Sequence, residues 1–150
     1  MAKSTVRDAD RAPLGSPKTF RIGRRRYAVG LFWQVADSSK TIRREARGVA
    51  QETGINADLH IRRIVTSTGT GQFALARSRD GVARAAVAAA AAMADQVPQR
   101  SWVGVFPLTS GYWYVRIRDG LVMPDGDDFL DSEEAARQRL HDDVNDGGWE

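Results

Sequence analysis

One stretch, residues 101–140, constrains the fold more than any other part of this 150-residue chain. It contains two runs of β-branched and aromatic residues, Trp102–Phe106 and Tyr112–Arg118, each of strand length. Asp119–Gly120 follows, and this dipeptide accepts the positive φ angles of a two-residue hairpin turn. We therefore predict three consecutive strands, the third at Leu121–Met123.

An acidic helix is predicted to close this unit. Asp125–Gly126 is expected to end the third strand, and Asp131 or Ser132 can cap the helix that follows. Glu133 and Glu134 then lie in its first turn, where carboxylates suit the positive end of the helix dipole. The stretch is typical of a scaffold, and it contains no catalytic pattern.

Six further elements are predicted before residue 101. In chain order they are two strands, a helix, two strands and an alanine-rich helix, at Thr19–Ile22, Tyr27–Trp33, Lys40–Thr53, Leu59–Val65, Gln72–Ala76 and Gly81–Asp95. The order β-β-α-β-β-α-β-β-β-α predicts an α+β domain with a mixed β-sheet and about three helices.

The length of 150 residues fits one domain, which we place at residues 18–150. Residues 1–17 are polar and mixed in charge, and we interpret them as a disordered tail or an expression-derived segment. The absence of cysteine excludes disulfides, thiolate metal sites and a cysteine nucleophile. The longest apolar run, residues 85–94, is too short for a membrane-spanning helix, which needs about 20 residues.

Charge is distributed very unevenly along the chain. Residues 119–150 contain eleven acidic and two basic side chains, a net charge of −9, whereas residues 1–118 carry +12. Such an asymmetry can steer encounters with charged partners. Either the acidic region 125–146 or the arginine-rich opening hairpin is a candidate steering surface.

Two motifs suggest a ligand, and each has a simpler interpretation. Ser67–Gln72 contains glycines that could approach a phosphate, but it lacks the Lys-Ser/Thr ending of a P-loop, so we interpret it as a connection between strands. Asp125–Asp128 could offer oxygens to Ca²⁺ or Mg²⁺, but it lacks the ligand spacing of an EF-hand, so we interpret it as a solvated turn. We expect no bound cofactor, no metal and no catalytic residue.

Cationic and aromatic residues leave two questions open. Arg24–Arg26, with Lys18, Arg21, Tyr27 and Trp33 nearby, could bind phosphates and stack bases, or contact anionic lipid, although a solvated hairpin turn is the stronger explanation of the arginines. Alternate residues of a strand face opposite sides, so one set of the C-terminal aromatics could be exposed as an interface; these are Trp102, Tyr112, Trp113 and Tyr114.

The chain resembles PilO-type pilin accessory proteins of type IVb pili, the inner-membrane components of the thin pilus and the bundle-forming pilus. The resemblance covers roughly residues 18–150, although residues 38–95 match mainly in pattern. The segments that carry it, in family order, are Arg24–Gln34, Ser101–Trp102, Gly111–Trp113, Arg118–Asp127, Glu133–Arg137 and Gly147–Trp149.

The resemblance implies a non-enzymatic assembly domain that docks the pilus-assembly ATPase or another inner-membrane platform component. It also implies a cytoplasmic N-terminal domain of a longer, membrane-anchored protein, with part of the actin-like fold of type II secretion assembly proteins. Two alternatives stay open: an actin-like nucleotide binder, and a basic nucleic-acid-binding module. The contact face and the oligomeric state are not indicated by the sequence.

Overall fold

A computed structural model describes residues 18–53, 60–65, 69–75 and 86–149. These residues form nine strands and three helices. In chain order the elements are β1 (Lys18–Ile22), β2 (Arg25–Val29), β3 (Phe32–Val35), α1 (Ile42–Thr53), β4 (His60–Val65), β5 (Thr70–Leu75), β6 (Val87–Ala88), α2 (Ala89–Gln96), β7 (Trp102–Leu108), β8 (Gly111–Arg118), β9 (Leu121–Leu130) and α3 (Glu133–Asp146).

The predicted α+β class and the three helices are confirmed. The strands are divided among three sheets of three strands each, with the orders β1-β2-β6, β3-β5-β4 and β7-β8-β9. We call these the opening, middle and C-terminal sheets. The opening sheet is mixed, because β2 and β6 are parallel, and the pairings in the other two sheets are antiparallel.

The predicted second strand, Tyr27–Trp33, is divided in two. Gly30 has a φ of 77°, a left-handed conformation that favours glycine and breaks an extended run. As a result β2 pairs within the opening sheet and β3 pairs within the middle sheet. A continuous apolar run is typical of a buried strand, but it does not show that the chain changes sheet within the run.

The alanine-rich segment is helical over a shorter range than predicted. Val87 and Ala88 form strand β6 beside Tyr27 and Ala28, and α2 begins only at Ala89. The start of the predicted helix lies outside the described residues. A helix over 87–88 was therefore wrong, because parallel pairing with β2 competes with the high helix propensity of alanine.

The C-terminal sheet confirms the predicted turn and corrects the predicted strand end. Asp119 and Gly120 both have positive φ, 52° and 80°, as a two-residue hairpin turn requires. Strand β9, however, continues past Asp125–Gly126 to Leu130. The dipeptide lies in a register shift opposite Arg116, where the chain bulges and then resumes pairing with β8.

Two hydrophobic clusters lie among the described residues. The larger joins residues of all three sheets to α2, with Trp33, Val115 and Ile117 fully buried. The smaller lies beneath α1, whose Ala46 contributes to it together with Phe73 of β5. Gly71 of β5 lies so close to this helix that a Cβ there would come within 2.7 Å of the Ile42 Cδ1 atom.

Candidate functional site

A buried carboxylate holds the opening turn against the C-terminal sheet. Asp127 accepts hydrogen bonds from two backbone N–H groups, those of Gly30 at 2.8 Å and Leu31 at 3.3 Å. It also accepts from the indole Nε1 atoms of Trp33 at 2.8 Å and Trp113 at 2.9 Å. Four groups that can only donate match the acceptor sites of an ionised carboxylate.

Opposing effects act on the titration of this group. Burial raises the pKa of Asp127 above its ordinary value, while the hydrogen bonds from Trp33, Gly30, Trp113 and Leu31 act to lower it. The bonds thus compensate part of the cost of burying a charge. This carboxylate is fully engaged in holding the fold together.

A second polar network joins the middle sheet to the C-terminal sheet. The Gln72 side chain donates to the Val122 carbonyl at 2.9 Å and accepts from the Val122 N–H at 3.1 Å, as a neighbouring strand would. The Arg63 guanidinium donates to Gln72 at 2.8 Å, to the Gly120 carbonyl at 2.7 Å and to Asp95 at 2.8 Å. This network, buried at Arg63 and Gln72 and exposed at Asp95, links β4, β5, α2, β9 and the β8–β9 turn.

Helix α3 covers one face of the C-terminal sheet. Its N-cap is Ser132, one of the two predicted caps, whose Oγ accepts from the Ala135 N–H at 3.1 Å. Beneath the helix, the Tyr114 hydroxyl donates to the Asp143 carboxylate, and Arg139 lies 4.2 Å from the centroid of the Tyr114 ring. Burial, and then the charge of Asp146, raises the pKa of Asp143.

The segment after α3 folds back on the same sheet. The Trp149 Nε1 atom donates to the Asp143 carbonyl at 2.6 Å, and its ring lies 4.5 Å from the Arg118 guanidinium carbon. Arg118 also donates to the Gly147 carbonyl at 3.2 Å. The Gly147–Trp149 motif is therefore part of the fold of this domain.

Exposed carboxylates are concentrated on helix α3 and just before its N-cap. Arg137 is the exposed cation of the helix and is paired with Glu133 at 2.6 Å, whereas Arg139 is turned toward the sheet and bound to Asp128. Val144 is 53% exposed on this helix. We define the acidic face as the exposed carboxylates Asp131, Glu133, Glu134, Asp142 and Asp146.

The opening hairpin, residues 18–29, is the corresponding basic surface. Ile22 pairs with Arg25 across a two-residue turn, and Gly23 has a φ of 61° at its first central position. Within the described part of the chain no carboxylate forms an ion pair with its cations. Its five exposed cations are Lys18, Arg21, Arg24, Arg25 and Arg26.

The aromatic residues near this hairpin are engaged in packing. Phe20 and Tyr27 stack on each other with ring centroids 5.6 Å apart, and they pack against the larger core cluster. Trp33 is completely buried and bound to Asp127. Tyr27 and Trp33, which the nucleic-acid hypothesis needed for base stacking, are therefore engaged in packing within the protein.

The described part of the suggested phosphate loop has structural roles. Residues 66–68 lie outside the described residues, so Ser67 and Thr68 are not placed. The Gly69 N–H donates to the Val65 carbonyl at 2.8 Å in the turn between β4 and β5, and Gln72 is buried in β5. These contacts support the interpretation of a connection between strands.

The suggested cation motif does not form a solvated turn, so that interpretation was wrong. Asp127 points into the core, Asp128 binds Arg139, and Asp125 pairs with Arg116 at 3.3 Å. A strand places neighbouring side chains on opposite faces, which separates these carboxylates. Among the residues that the structure describes, no group of three or more metal-ligating side chains converges.

The C-terminal aromatics are divided between the two faces of their sheet. Trp102 and Trp113 belong to the larger core cluster, whereas Tyr114 is buried beneath α3 and Tyr112 is half-buried. An exposed aromatic stripe is therefore not formed by these four residues. Among the described residues, the clusters of exposed charge remain as candidate surfaces for a partner.

Sequence reasoning missed the two polar networks. The Asp and Gly residues around Asp127 favour a turn, whereas the apolar residues Phe129–Leu130 indicate that the strand continues. Gln72 gave a weaker signal, a single amide at the start of the apolar run Gln72–Ala76. Nothing local to either residue shows its most distant partner, since Gly30 lies 97 positions from Asp127 and Val122 lies 50 positions from Gln72.

Comparison with known proteins gives one family. The family model described as "Pilin accessory protein (PilO)" matches residues 27–150 of the chain. A search of curated proteins found none that matches. Within the described residues, no helix is both long enough and apolar enough to cross a bilayer.

Proposed function

The chain belongs to the PilO family of pilin accessory proteins and has a role in type IV pilus biogenesis, and from that premise we propose that it is a docking domain. Its partner is the pilus-assembly ATPase or another component of the inner-membrane platform. In this proposal the chain binds its partner and has no catalytic activity of its own. We place the domain in the type IVb branch of the family and at the cytoplasmic face of the membrane.

The observation that carries this proposal is the acidic face of α3. Five exposed carboxylates lie on or just before a helix that has a single exposed arginine, and Glu133 pairs with that arginine. A surface of one sign accelerates encounters with a partner of the opposite sign. Val144, exposed on the same helix, offers apolar area that charges alone do not provide.

The packing of helix α3 on the C-terminal sheet makes its acidic face suitable for docking. Ala136 and Asp143 of helix α3 are buried, and Asp143 accepts a hydrogen bond from the buried Tyr114 of β8. The exposed carboxylates therefore stand on a supported element, and little side-chain packing has to be rearranged when a partner binds. A rigid, charged helix face is a surface of the kind that rigid-body docking requires.

Titration calorimetry of the chain against the purified ATPase from its own cell tests the proposal, with ATP and Mg²⁺ as a parallel titrant. We expect saturable heat with the ATPase and none with the nucleotide. Nucleotide binding without ATPase binding would replace docking by the actin-like alternative. If neither the ATPase nor the nucleotide gave binding heat, docking to the ATPase would be contradicted. The other platform components would then be titrated in the same way.

A further inference from the structure

The opening hairpin combines charge with an exposed aliphatic side chain at its tip. Ile22 is 65% exposed, the highest value among the exposed large hydrophobic residues that the structure describes. It closes the turn opposite Arg25, with Gly23 and Arg24 between them. An isolated exposed isoleucine is unremarkable on its own, but here it is surrounded by cations.

The cations surround the tip rather than occupying one face. Cross-strand pairing puts Arg25 on the same face as Ile22, and it puts Arg21 and Arg26 together on the opposite face. Arg24 lies in the turn itself. A partner that covered one face would meet only part of this charge, whereas contact made end-on at the tip brings all four arginines close.

The hairpin is anchored at its base. The Phe20–Tyr27 stack packs against the core, and Ala28 and Val29 are fully buried. Ile22 lies two residues beyond Phe20, which at the rise of a strand is about 7 Å. That reach matches the depth of about 5–10 Å at which peripheral apolar groups enter the headgroup and acyl boundary of a bilayer.

We propose that the tip of the opening hairpin is a contact site for an anionic lipid surface, in which Ile22 enters the interface and Arg21, Arg24, Arg25 and Arg26 bind lipid phosphates. Cations near an anionic leaflet are attracted to it, and an aliphatic tip gains by leaving water. Nucleic acid fits less well, because the neighbouring aromatics Tyr27 and Trp33 are packed and Ile22 cannot stack on bases.

This site goes beyond docking to the ATPase and uses a different surface. The basic hairpin would hold the domain against the membrane while the acidic face of α3 receives the protein partner. The two surfaces can be tested separately, since neither assay needs the other ligand.

Flotation of the full chain with vesicles tests the site. The vesicles contain phosphatidylcholine alone or phosphatidylcholine mixed with phosphatidylglycerol. We expect binding only to the mixed vesicles, weakened by salt. Replacing the three consecutive arginines by glutamine (R24Q, R25Q and R26Q) should weaken binding by about tenfold or more.

A matched variant controls for net charge. Arg43, Arg44 and Arg47 are exposed on α1, and R43Q, R44Q and R47Q together change the charge by the same amount. We expect this variant to bind within about threefold of the unmodified chain, because these arginines lie outside the proposed site. Ile22→Ser should weaken binding several-fold at constant charge, whereas Val144→Ser should not.

Three results would overturn the proposal: no binding to phosphatidylglycerol vesicles, equal losses in the two arginine variants, or no effect of Ile22→Ser. A short DNA duplex that binds the hairpin more tightly than the vesicles do, without dependence on Ile22, would also overturn it in favour of nucleic acid. Thermal melts of each variant verify that a loss of binding is not a loss of fold.

Discussion

At the scale of single residues, the described structure depends on a few polar side chains that are buried among apolar ones. Asp127 and Gln72 are the clearest cases, since each satisfies backbone groups on an element distant in sequence. A buried polar group costs free energy unless its partners are supplied. Such residues therefore specify how the elements pair, and their removal should cost more than their size suggests.

Replacing Asp127 by alanine leaves four N–H donors without an acceptor in the core. We expect Asp127→Ala to lower the free energy of unfolding by about 3 kcal/mol or more. Asp125→Ala, two residues earlier, removes only an exposed pair and should change it by less than about 1 kcal/mol. Urea unfolding at neutral pH measures both variants. Equal losses would contradict the role given to Asp127.

Asp143 should make part of the stability depend on pH. Its pKa is raised in the folded state, chiefly by burial and then by Asp146, from an ordinary value of 3.8. The folded chain therefore retains a proton that the unfolded chain has lost. The stabilisation linked to that proton is fully present below pH 3.8 and is lost as pH rises through the raised pKa.

Asp143→Asn removes this ionisation and preserves the shape of the side chain. Two other carboxyl groups also make the unfolding free energy depend on pH. Burial raises the pKa of Asp127, which gives a dependence of the same sign as that of Asp143. The pKa of Glu45 is lowered, mainly by the Asp37 N–H and then by the Thr41 hydroxyl, which gives the opposite sign. The test is therefore the difference in unfolding free energy between the unmodified chain and the Asp143→Asn variant. We expect this difference to change as pH rises above 3.8 and then to level off. Parallel stability curves would refute it.

At the scale of elements, local signals in the sequence predicted local features well. The Asp119–Gly120 turn, the Ser132 cap and the existence of all three helices are confirmed. Each depends on residues within a few positions of one another, so neighbouring sequence contains the information. The break at Gly30 was missed because glycine in an apolar run is compatible with both a continuous strand and a turn.

Pairing between strands accounts for the remaining differences in the elements. Strand β9 continues through Asp125–Gly126 because β8 offers it a partner on both sides of the bulge. Val87 and Ala88 are extended because β2 lies beside them. Propensity cannot predict either result, since the decisive contacts come from a partner strand, which is β8 of the same hairpin for β9 and the distant β2 for Val87 and Ala88. The charge of the two candidate surfaces was predicted from the sequence, whereas the exposure of their side chains could be seen only in the folded structure.

The link between the middle and C-terminal sheets can be tested through Gln72. Gln72→Ala removes the partner of the Val122 N–H and carbonyl and one partner of Arg63. We expect it to lower the free energy of unfolding by about 2–4 kcal/mol. Gln34→Ala on β3, where the amide is half-buried, is the matched control and should cost less than about 1 kcal/mol. A cost at Gln72 no greater than at Gln34 would argue against the link.

At the scale of the whole molecule, the charge separation seen in the sequence is retained on the described surface. The basic hairpin and the acidic face belong to different elements, β1–β2 and α3, and each has few neighbours of opposite sign. A chain with a net charge of only +3 therefore presents two surfaces of opposite sign. In the proposed function the acidic face steers the protein partner, and in the further inference the basic hairpin meets the membrane.

Stopped-flow association of the chain with the pilus-assembly ATPase, measured over a range of salt concentrations, decides whether the acidic face is the docking surface. Asp142→Lys reverses a charge on that face, and Glu52→Lys makes the same change on α1. We expect Asp142→Lys to lower the association rate at low salt by about threefold or more and to flatten its salt dependence, with Glu52→Lys close to the unmodified chain. Equal rates for the two variants would contradict docking through α3.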